Sequence, residues 1–221
     1  MLKAVLFDLY ETLVTESGAG IRNAGALGES FGLEARAYRR EWKQLRPLVL
    51  CGRFTFQAAL TEVGERLGVA IPLELVRRAS DERARAKSSI FQRIDPALVA
   101  LTHELRQRGL RLGVVSNCMA EDVLGWADSA LARQFDCTMF SFMAGVVKPD
   151  VRIYLEALRQ LGMNAQDAIY IGDGGDDELA GARRAGMCAA RAAWFVSRDI
   201  SPAEPLLLKP ADIRRLIDTA G

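Results

Sequence analysis

The feature that most constrains the fold of this sequence is a regular alternation of short apolar runs and helical segments in its second half. Apolar runs typical of buried strands lie at 112–115, 137–142, 168–172 and 188–193. Segments with apolar residues three and four positions apart separate them, at 120–133, 150–161 and 177–185. Repeated strand–helix units predict parallel strands joined by right-handed crossovers. A further apolar run at 3–8 predicts one more buried strand.

A block of purely helical pattern interrupts this arrangement after the first apolar run. Its helical segments lie at 34–49, 56–67 and 73–87, with no strand pattern among them. We therefore predict a core formed by 1–14 and 91–221 and a helical cap formed by 15–90, whose two connections would let it open and close. The predicted fold class is α/β, with a Rossmann-like parallel sheet core, helices on both faces and an inserted all-helical cap subdomain. A loop followed by a short terminal helix is expected at the prolines of the tail, Pro202, Pro205 and Pro210.

Composition argues against several functional classes. The 221 residues contain 29 Lys and Arg against 28 Asp and Glu, so the formal net charge of +1 predicts neither nucleic acid nor an anionic membrane as a partner. The first apolar run is too short for a secretory signal, and no run approaches the roughly 20 apolar residues of a membrane span. The four cysteines lack any paired motif and are expected to be buried thiols, so a cytoplasmic location is expected. The single histidine, His103, argues against a histidine-based triad.

Four short polar elements follow successive predicted strands. They are the stretch 8–12, Ser116-Asn117, Lys148-Pro149 and the stretch 172–177, which has the sequence Gly-Asp-Gly-Gly-Asp-Asp. Taken singly, each element is explained equally well by turn formation or helix capping. The carboxyl ends of parallel strands meet at one edge of a sheet, where ligands bind. Their joint occurrence, in this order, therefore predicts a site at that edge.

Together these elements resemble the motif set of the haloacid dehalogenase (HAD) superfamily: Asp-x-x-x-Thr after a strand, Ser-Asn, Lys-Pro, and Gly-Asp-x-x-x-Asp before a helix. The resemblance spans almost the whole chain, and the helical block resembles that superfamily's cap inserted after the first strand, a C1-type cap. It implies a hydrolase in which Asp8 is the attacking carboxylate and Lys148 supplies a positive charge beside it. Thr12, Ser116 and Asn117 would donate hydrogen bonds to the transferring group.

The resemblance also implies a bound Mg²⁺. Its ligands would be the Asp8 carboxylate, the Tyr10 backbone carbonyl and Asp173, with Asp177 binding directly or through water. A cation here has a physical reason, because converging carboxylates repel one another and repel an incoming phosphate. The function predicted is a Mg²⁺-dependent phosphohydrolase that acts on a small phosphorylated metabolite through an aspartyl-phosphate intermediate on Asp8.

The sequence departs from the phosphatase pattern at one catalytic position. Tyr10 replaces the second Asp, which acts as general acid and then base in those enzymes, and a phenol with a pKa of about 10 is a poor base at neutral pH. The 2-haloacid dehalogenases carry Tyr there, and their halide leaving group needs no proton. They are metal-free, however, and the arginine of their cap falls at Lys43 in this chain. A dehalogenase-type hydrolase and a low-activity ligand-binding family member therefore stay as alternatives, with the oligomeric state left open.

Overall fold

The computed structural model describes residues 1–195 and 205–219. The strands in these residues form one six-stranded parallel sheet in the order β3-β2-β1-β4-β5-β6. The strands are β1 Ala4–Phe7, β2 Arg111–Ser116, β3 Cys137–Phe140, β4 Ala168–Gly172, β5 Cys188–Ala192 and β6 Leu206–Leu207. The predicted α/β fold is confirmed, and only β6 lacked a sequence signal. The loop predicted at Pro202 lies outside the described residues, and the terminal helix that follows is present.

Helices cover both faces of the sheet. They are α1 Ala24–Ser30, α2 Ala35–Leu50, α3 Phe56–Arg66, α4 Leu73–Ile90, α5 Pro96–Gln107, α6 Ser141–Ala144, α7 Val151–Leu161, α8 Glu178–Arg184 and α9 Ile213–Thr219. Val5 and Phe7 of β1 belong to one hydrophobic cluster with α5 and α9, whereas Ala4 and Leu6 belong to another with α7 and α8. Because side chains alternate along a strand, β1 is buried on both faces and is apolar throughout.

The helices α1 to α4 bury a hydrophobic cluster of their own, separate from the two clusters of the sheet. Its large buried side chains include Tyr38, Leu45, Phe56, Leu60 and Val63. The helix α1 was not predicted, because its sequence is rich in glycine. A Cβ at Gly28 would lie 2.5 Å from the ring of Tyr38, so the glycine allows α1 and α2 to pack closely. The division into a core and a cap formed by 15–90 stays a prediction.

The predicted helix over 120–133 is wrong. Two short 3₁₀ turns, Ala120–Asp122 and Ala132–Gln134, occupy this stretch with irregular chain between them. A Cβ at Gly125 would lie only 3.1 Å from the main chain of Ser88, at the end of α4. The close approach of two chain segments leaves no room for the side chains of a regular helix, so tertiary packing overrides the apolar spacing.

Two other expectations from composition can be compared with the structure. No helix in residues 1–195 and 205–219 is long and apolar enough to cross a bilayer. All four cysteines are free, and Cys118 and Cys137 are buried as expected, but Cys51 is half-buried and Cys188 is exposed.

Candidate active site

The sheet register brings the predicted residues to one edge. Phe7 of β1 lies opposite Val114 of β2 on one side and Ile171 of β4 on the other. Asp8 therefore emerges between the carboxyl ends of two neighbouring strands, beside Ser116 at the end of β2. In a parallel sheet this edge carries the ligand site, so the topology places the polar elements where the sequence predicted them.

Lys148 is the centre of a buried hydrogen-bond network. Its ammonium nitrogen lies 2.5 Å from Asp8 Oδ1 and 2.5 Å from Glu178 Oε2, and it donates to Tyr170 OH at 3.1 Å. Tyr170 in turn donates its hydroxyl proton to Glu178 Oε2 at 2.7 Å. All three donors of the ammonium group are engaged, so its position beside Asp8 is fixed.

The Asn117 side chain is hydrogen-bonded to the main chain of Lys148. Its Oδ1 accepts from Lys148 N at 2.7 Å, and its Nδ2 donates to Lys148 O at 3.0 Å and to Asp176 Oδ2 at 2.8 Å. An amide has two donor hydrogens, and both have protein acceptors here. Asn117 therefore contacts the main chain of Lys148 and Asp176, and its hydrogen bond to a transferring group stays a prediction.

The glycines after β4 allow the chain to fold back over Glu178. A Cβ at Gly172 would lie 2.0 Å from Glu178 Oε1, and Gly174 N donates to that oxygen at 3.0 Å. Gly174 also has a φ of 88°, a left-handed conformation that glycine adopts without steric cost. The turn is closed by Gly175 N, which donates to Asp173 Oδ1 at 2.9 Å. Together these contacts hold two acidic side chains against the edge of the sheet.

The structure assembles a different acidic group from the one predicted. One carboxylate oxygen each from Asp8, Asp173 and Glu178 lies within 4.8 Å of the others. The side chain of Asp177 is 68% exposed and instead lies 3.5 Å from Arg184 Nη1. Glu178, which the sequence reasoning missed, is 1% exposed and supplies the third carboxylate of this group.

A signal for Glu178 was present in the sequence. It lies three and four positions before the small buried residues Gly181 and Ala182 of α8, so helical spacing places it on the buried face of that helix. The motif spacing drew attention to Asp177 instead. A buried glutamate at the first turn of a helix requires a partner, and Lys148 is that partner.

The acidic group carries more negative charge than Lys148 neutralises. Burial raises the pKa of Asp8 to about 8, the neighbouring Glu178 carboxylate also raises it, and Lys148 offsets these effects only in part. Burial alone would lower the pKa of Lys148, but the charges of Asp8 and Glu178 outweigh it and hold that pKa well above its usual range. Three converging carboxylates with one ammonium group match the oxygen ligands and charge that a hard divalent cation prefers.

Tyr10 has its hydroxyl proton committed elsewhere. It donates to the backbone oxygen of Asp122 at 2.6 Å, and Lys87 Nζ lies 3.7 Å from the centre of its ring. Burial, and then the charge of Asp122, raises the pKa of Tyr10 well above its usual value. The phenol is therefore neutral and hydrogen-bonded away from Asp8.

The hydroxyl groups of Thr12 and Ser116 are buried. Neither has a hydrogen-bond partner within the part of the chain that the structure describes. Ser116 faces the same cavity as Asp8, whereas Thr12 does not line it. The Thr12 carbonyl accepts from Trp194 Nε1 at 2.8 Å, so this residue also joins β1 to the chain after β5. Of these two residues, Ser116 is the one that lines the cavity.

A cavity of about 370 Å³ opens over this group. The predicted site residues that line it are Asp8, Tyr10, Ser116, Asn117, Lys148 and Asp173. The helices α2 and α4 contribute its opposite wall through Arg46, Leu50, Arg83 and Lys87. Lys43, the residue compared with the arginine of dehalogenases, is exposed and does not line the cavity.

A buried ion pair joins α4 to the chain that follows β2. Arg83 Nη2 lies 2.6 Å from Asp122 Oδ1, and Asp122 is 3% exposed. The other oxygen of Asp122 accepts from Met119 N at 3.0 Å. Lys87 pairs with Glu16 and lies 3.9 Å from Asp122 Oδ1. None of these residues was selected from the sequence, because they lie outside the four motifs.

Several known proteins are similar to this chain in sequence or in fold. A model of the haloacid dehalogenase-like hydrolase family matches residues 2–186. Glyceraldehyde 3-phosphate phosphatase from Methanopyrus kandleri is 29% identical over 209 residues, which cover 91% of this chain and 88% of that protein. A 2-haloacid dehalogenase from Pseudomonas syringae pv. tomato has a TM-score of 0.71 at 24% identity, with both chains covered completely. A HAD phosphatase from Thermococcus onnurineus has a TM-score of 0.66 at 20% identity over 98% of each chain.

Proposed function

The chain belongs to the haloacid dehalogenase-like hydrolase family, and from that premise we propose that it is a Mg²⁺-dependent phosphohydrolase acting on a small phosphorylated metabolite. The observation that carries the proposal is the buried group of Asp8, Asp173 and Glu178 around Lys148. A hydrolase that attacks a neutral carbon has no use for three carboxylates at one point. A hydrolase that binds a cation and a phosphate does.

The residues divide the reaction into two steps. Asp8 attacks phosphorus, the bond from phosphorus to the leaving oxygen breaks, and the phosphoryl group becomes an ester of Asp8. Water then attacks the same phosphorus, releasing inorganic phosphate and restoring the Asp8 carboxylate. Lys148 stays beside Asp8 throughout and stabilises the negative charge that moves onto the phosphoryl oxygens, with Ser116 donating a hydrogen bond to one of them.

The proposed cation ligands follow the observed geometry rather than the motif spacing. The structure groups the carboxylates of Asp8, Asp173 and Glu178, so Glu178 takes the role predicted for Asp177, and the family resemblance adds the Tyr10 backbone carbonyl. When bound, Mg²⁺ supplies the positive charge that lets a phosphate dianion approach these carboxylates. Asn117 contacts the main chain of Lys148, and Thr12 supports the turn that follows Asp8.

Tyr10 sets the expected substrate chemistry. The usual acid of family phosphatases is absent, and the phenol proton is held by Asp122 O. A leaving group that needs protonation would depart slowly. Acyl phosphates and activated aryl phosphates leave unaided, so we expect them to be hydrolysed faster than alkyl phosphates.

A second candidate is a dehalogenase-type reaction. Tyr10 favours it, because a halide needs no proton, and the likeness to a 2-haloacid dehalogenase shows that the same fold accommodates such a site. Asp8 would then attack the carbon that bears the halogen, the carbon–halogen bond would break with release of the halide ion, and water would hydrolyse the resulting ester at the carboxyl carbon of Asp8, releasing a hydroxy acid and restoring the carboxylate. This reaction gives no role to Asp173 as a cation ligand, and for that reason we rank it second.

The two functions separate in one screen. Purified protein is tested on acetyl phosphate, p-nitrophenyl phosphate and L-2-chloropropionate, each with Mg²⁺ and with EDTA. We expect phosphate release that EDTA abolishes, and no release in Asp8→Asn. Asp177→Asn serves as the matched control, because this neighbouring acid lies outside the group. Chloride release that EDTA does not affect would support the dehalogenase instead, and ligand binding without any turnover would support a binding protein.

A further inference from the structure

A second cavity lies between the helices α1, α3 and α4 and the chain that leads into α1. We call it the junction cavity. It has a volume of about 260 Å³, and its apolar side chains are those of Ile21, Leu27, Phe56, Ala79 and Ala86. None of these five residues lines the cavity over the acidic group, the active-site cavity. The junction cavity is therefore a separate space with a wall of its own.

The junction cavity lies where two hydrophobic clusters meet. Leu27, Phe56 and Ala79 belong to the cluster that α1 to α4 bury among themselves. Ile21 packs instead against the cluster on one face of the sheet. Gly20, which also lines the cavity, is exposed, so the space opens to solvent beside it. A molecule that enters here contacts side chains of both clusters at once.

The charged residues at the junction cavity already have partners of opposite charge. Arg22 pairs with Glu82, which also accepts from Arg78 Nε at 2.8 Å. Arg83 pairs with Asp122. A charged ligand would have to compete with these partners and would exchange water for an apolar wall, whereas an uncharged molecule avoids both costs. An apolar cavity of about 150 Å³ holds benzene, so about 260 Å³ has room for two fused rings.

Arg83 lines both the junction cavity and the active-site cavity. Its Nη2 lies 2.6 Å from Oδ1 of Asp122, which lines the active-site cavity. Its guanidinium carbon lies 5.4 Å from the ring centre of Phe56, which lines the junction cavity. Within residues 1–195 and 205–219, Arg83 Nε has no hydrogen-bond partner. Because the guanidinium group leaves this donor unused, a molecule in the junction cavity can limit the positions that the group takes.

We propose that the junction cavity is a second ligand site, for an uncharged molecule of one or two apolar rings, and that its occupant strengthens substrate binding through Arg83. The occupant packs against Arg83 beside Phe56 and holds the guanidinium group on Asp122. Asp122 O accepts from Tyr10 OH, and both residues line the active-site cavity. A wall that is already ordered loses less entropy when substrate binds, so KM falls while kcat is unchanged. The kinetic half of this inference rests on the proposed function, and the binding half does not.

The binding test uses indole as an uncharged ring probe and indole-3-carboxylate as the same ring with a charge. Calorimetry on the full chain should show indole binding, with weaker binding of the carboxylate, and indole should raise the unfolding temperature. Ala86→Leu fills the junction cavity and should abolish both effects. Ala84→Leu is the matched control, because it adds the same atoms to the same helix at a residue that lines neither cavity, and it should bind indole as the wild type does. If Ala86→Leu is unfolded, Ala86→Val replaces it, with weakened binding expected.

The kinetic test measures p-nitrophenyl phosphate hydrolysis with Mg²⁺ at increasing indole concentration. Saturating indole should lower the KM of the wild type by about 5-fold, the lower limit of the usual coupling between two ligand sites. The KM of Ala86→Leu should not respond to indole. Arg83→Met tests the route between the cavities: indole should still bind this variant but should no longer lower its KM.

The results that would overturn the inference are distinguishable. If indole does not bind the wild type, or binds Ala86→Leu equally well, the ligand site is refuted. If indole raises the KM of the wild type and of Ala86→Leu alike, it occupies the active-site cavity instead, and the ligand site is again refuted. If indole binds the junction cavity without any change in KM, the coupling through Arg83 is refuted and the ligand site stands. If no phosphate ester is hydrolysed, the proposed function falls, and the binding test still decides the ligand site.

Discussion

Replacing Glu178 by glutamine would test the acidic group at the centre of the proposed mechanism. Glutamine has nearly the same shape and keeps a carbonyl oxygen that can accept from Gly174 N. It removes one of three carboxylates from the group and one of the two carboxylates that contact Lys148. We therefore expect cation binding to weaken, while the turn after β4 keeps its main-chain hydrogen bonds.

The magnitude follows from linkage. Mg²⁺ at 100 times its dissociation constant stabilises the folded state by about 2.7 kcal/mol. In a domain of this size about 1 kcal/mol corresponds to roughly 2 to 4 °C, so the wild type should gain about 5 to 11 °C. Loss of one charged ligand weakens binding by about 10- to 100-fold. At the same Mg²⁺ concentration Glu178→Gln then gains only about 0.4 to 1.4 kcal/mol, or roughly 1 to 6 °C.

The assay is thermal unfolding of each protein with Mg²⁺ and with EDTA. Each variant is its own reference, so a change in the stability of the metal-free protein does not enter the comparison. Asp177→Asn is the control, because its side chain is mostly exposed and pairs with Arg184, and its Mg²⁺ shift should match that of the wild type. If Asp177→Asn loses the Mg²⁺-dependent shift in unfolding temperature and Glu178→Gln keeps it, Asp177 binds the cation, as the motif spacing predicted. The reasoning from the geometry is then refuted.

Three further predictions test other parts of the molecule. Tyr10→Asp should raise kcat on alkyl phosphates relative to p-nitrophenyl phosphate, because it restores a carboxyl acid; an unchanged ratio would count against the proposed leaving-group limit. Arg83→Met should destabilise the fold by about 3 kcal/mol in urea unfolding, since it leaves Asp122 buried without its closest cation, whereas exposed Arg85→Met should cost little. Asp136→Asn should cost about 0.5 to 1 kcal/mol at pH 7. Partial burial raises the pKa of Asp136, but hydrogen bonds and charges from a main-chain amide and two arginines together lower it by more, so the pKa lies below its usual value. The stability difference between the variant and the wild type should therefore vanish as the pH falls through that lowered pKa. A stability difference that does not depend on pH would contradict this prediction.

The strands and most of the site could be predicted from sequence because they depend on strong, local signals. A strand buried on both faces must be apolar throughout, and a polar residue at its end is conspicuous. Asp8, Ser116 and Lys148 were identified in this way, and the structure brings all three to one cavity. The order of the motifs along the chain was informative because parallel strands share one carboxyl edge.

The errors arise where distant segments determine the local conformation. The stretch 120–133 has helical spacing, but Gly125 passes close to the end of α4 and the chain turns irregularly. Asp122, at the start of this stretch, pairs with Arg83 from a helix far away in sequence. A single sequence contains no signal for such a pair, because neither residue stands out from the many charged residues around it.

The acidic group contains Glu178 where the motif spacing predicted Asp177. This difference shows how a short turn decides which acidic side chain enters a site. Asp176 and Asp177 both have left-handed backbone conformations, with φ of 50° and 54°, and such a conformation costs roughly 1 to 2 kcal/mol at each non-glycine residue. Glu178 makes buried contacts with Lys148, Tyr170 OH and Gly174 N, and these contacts offset the strain. They form only when the left-handed conformations of Asp176 and Asp177 turn the chain. Spacing in the sequence counts residues along the chain, whereas the turn sets the direction in which each side chain points. The strained turn directs the side chain of Asp177 towards solvent. It also places the carboxylate of Glu178 against the Lys148 ammonium group beside Asp8.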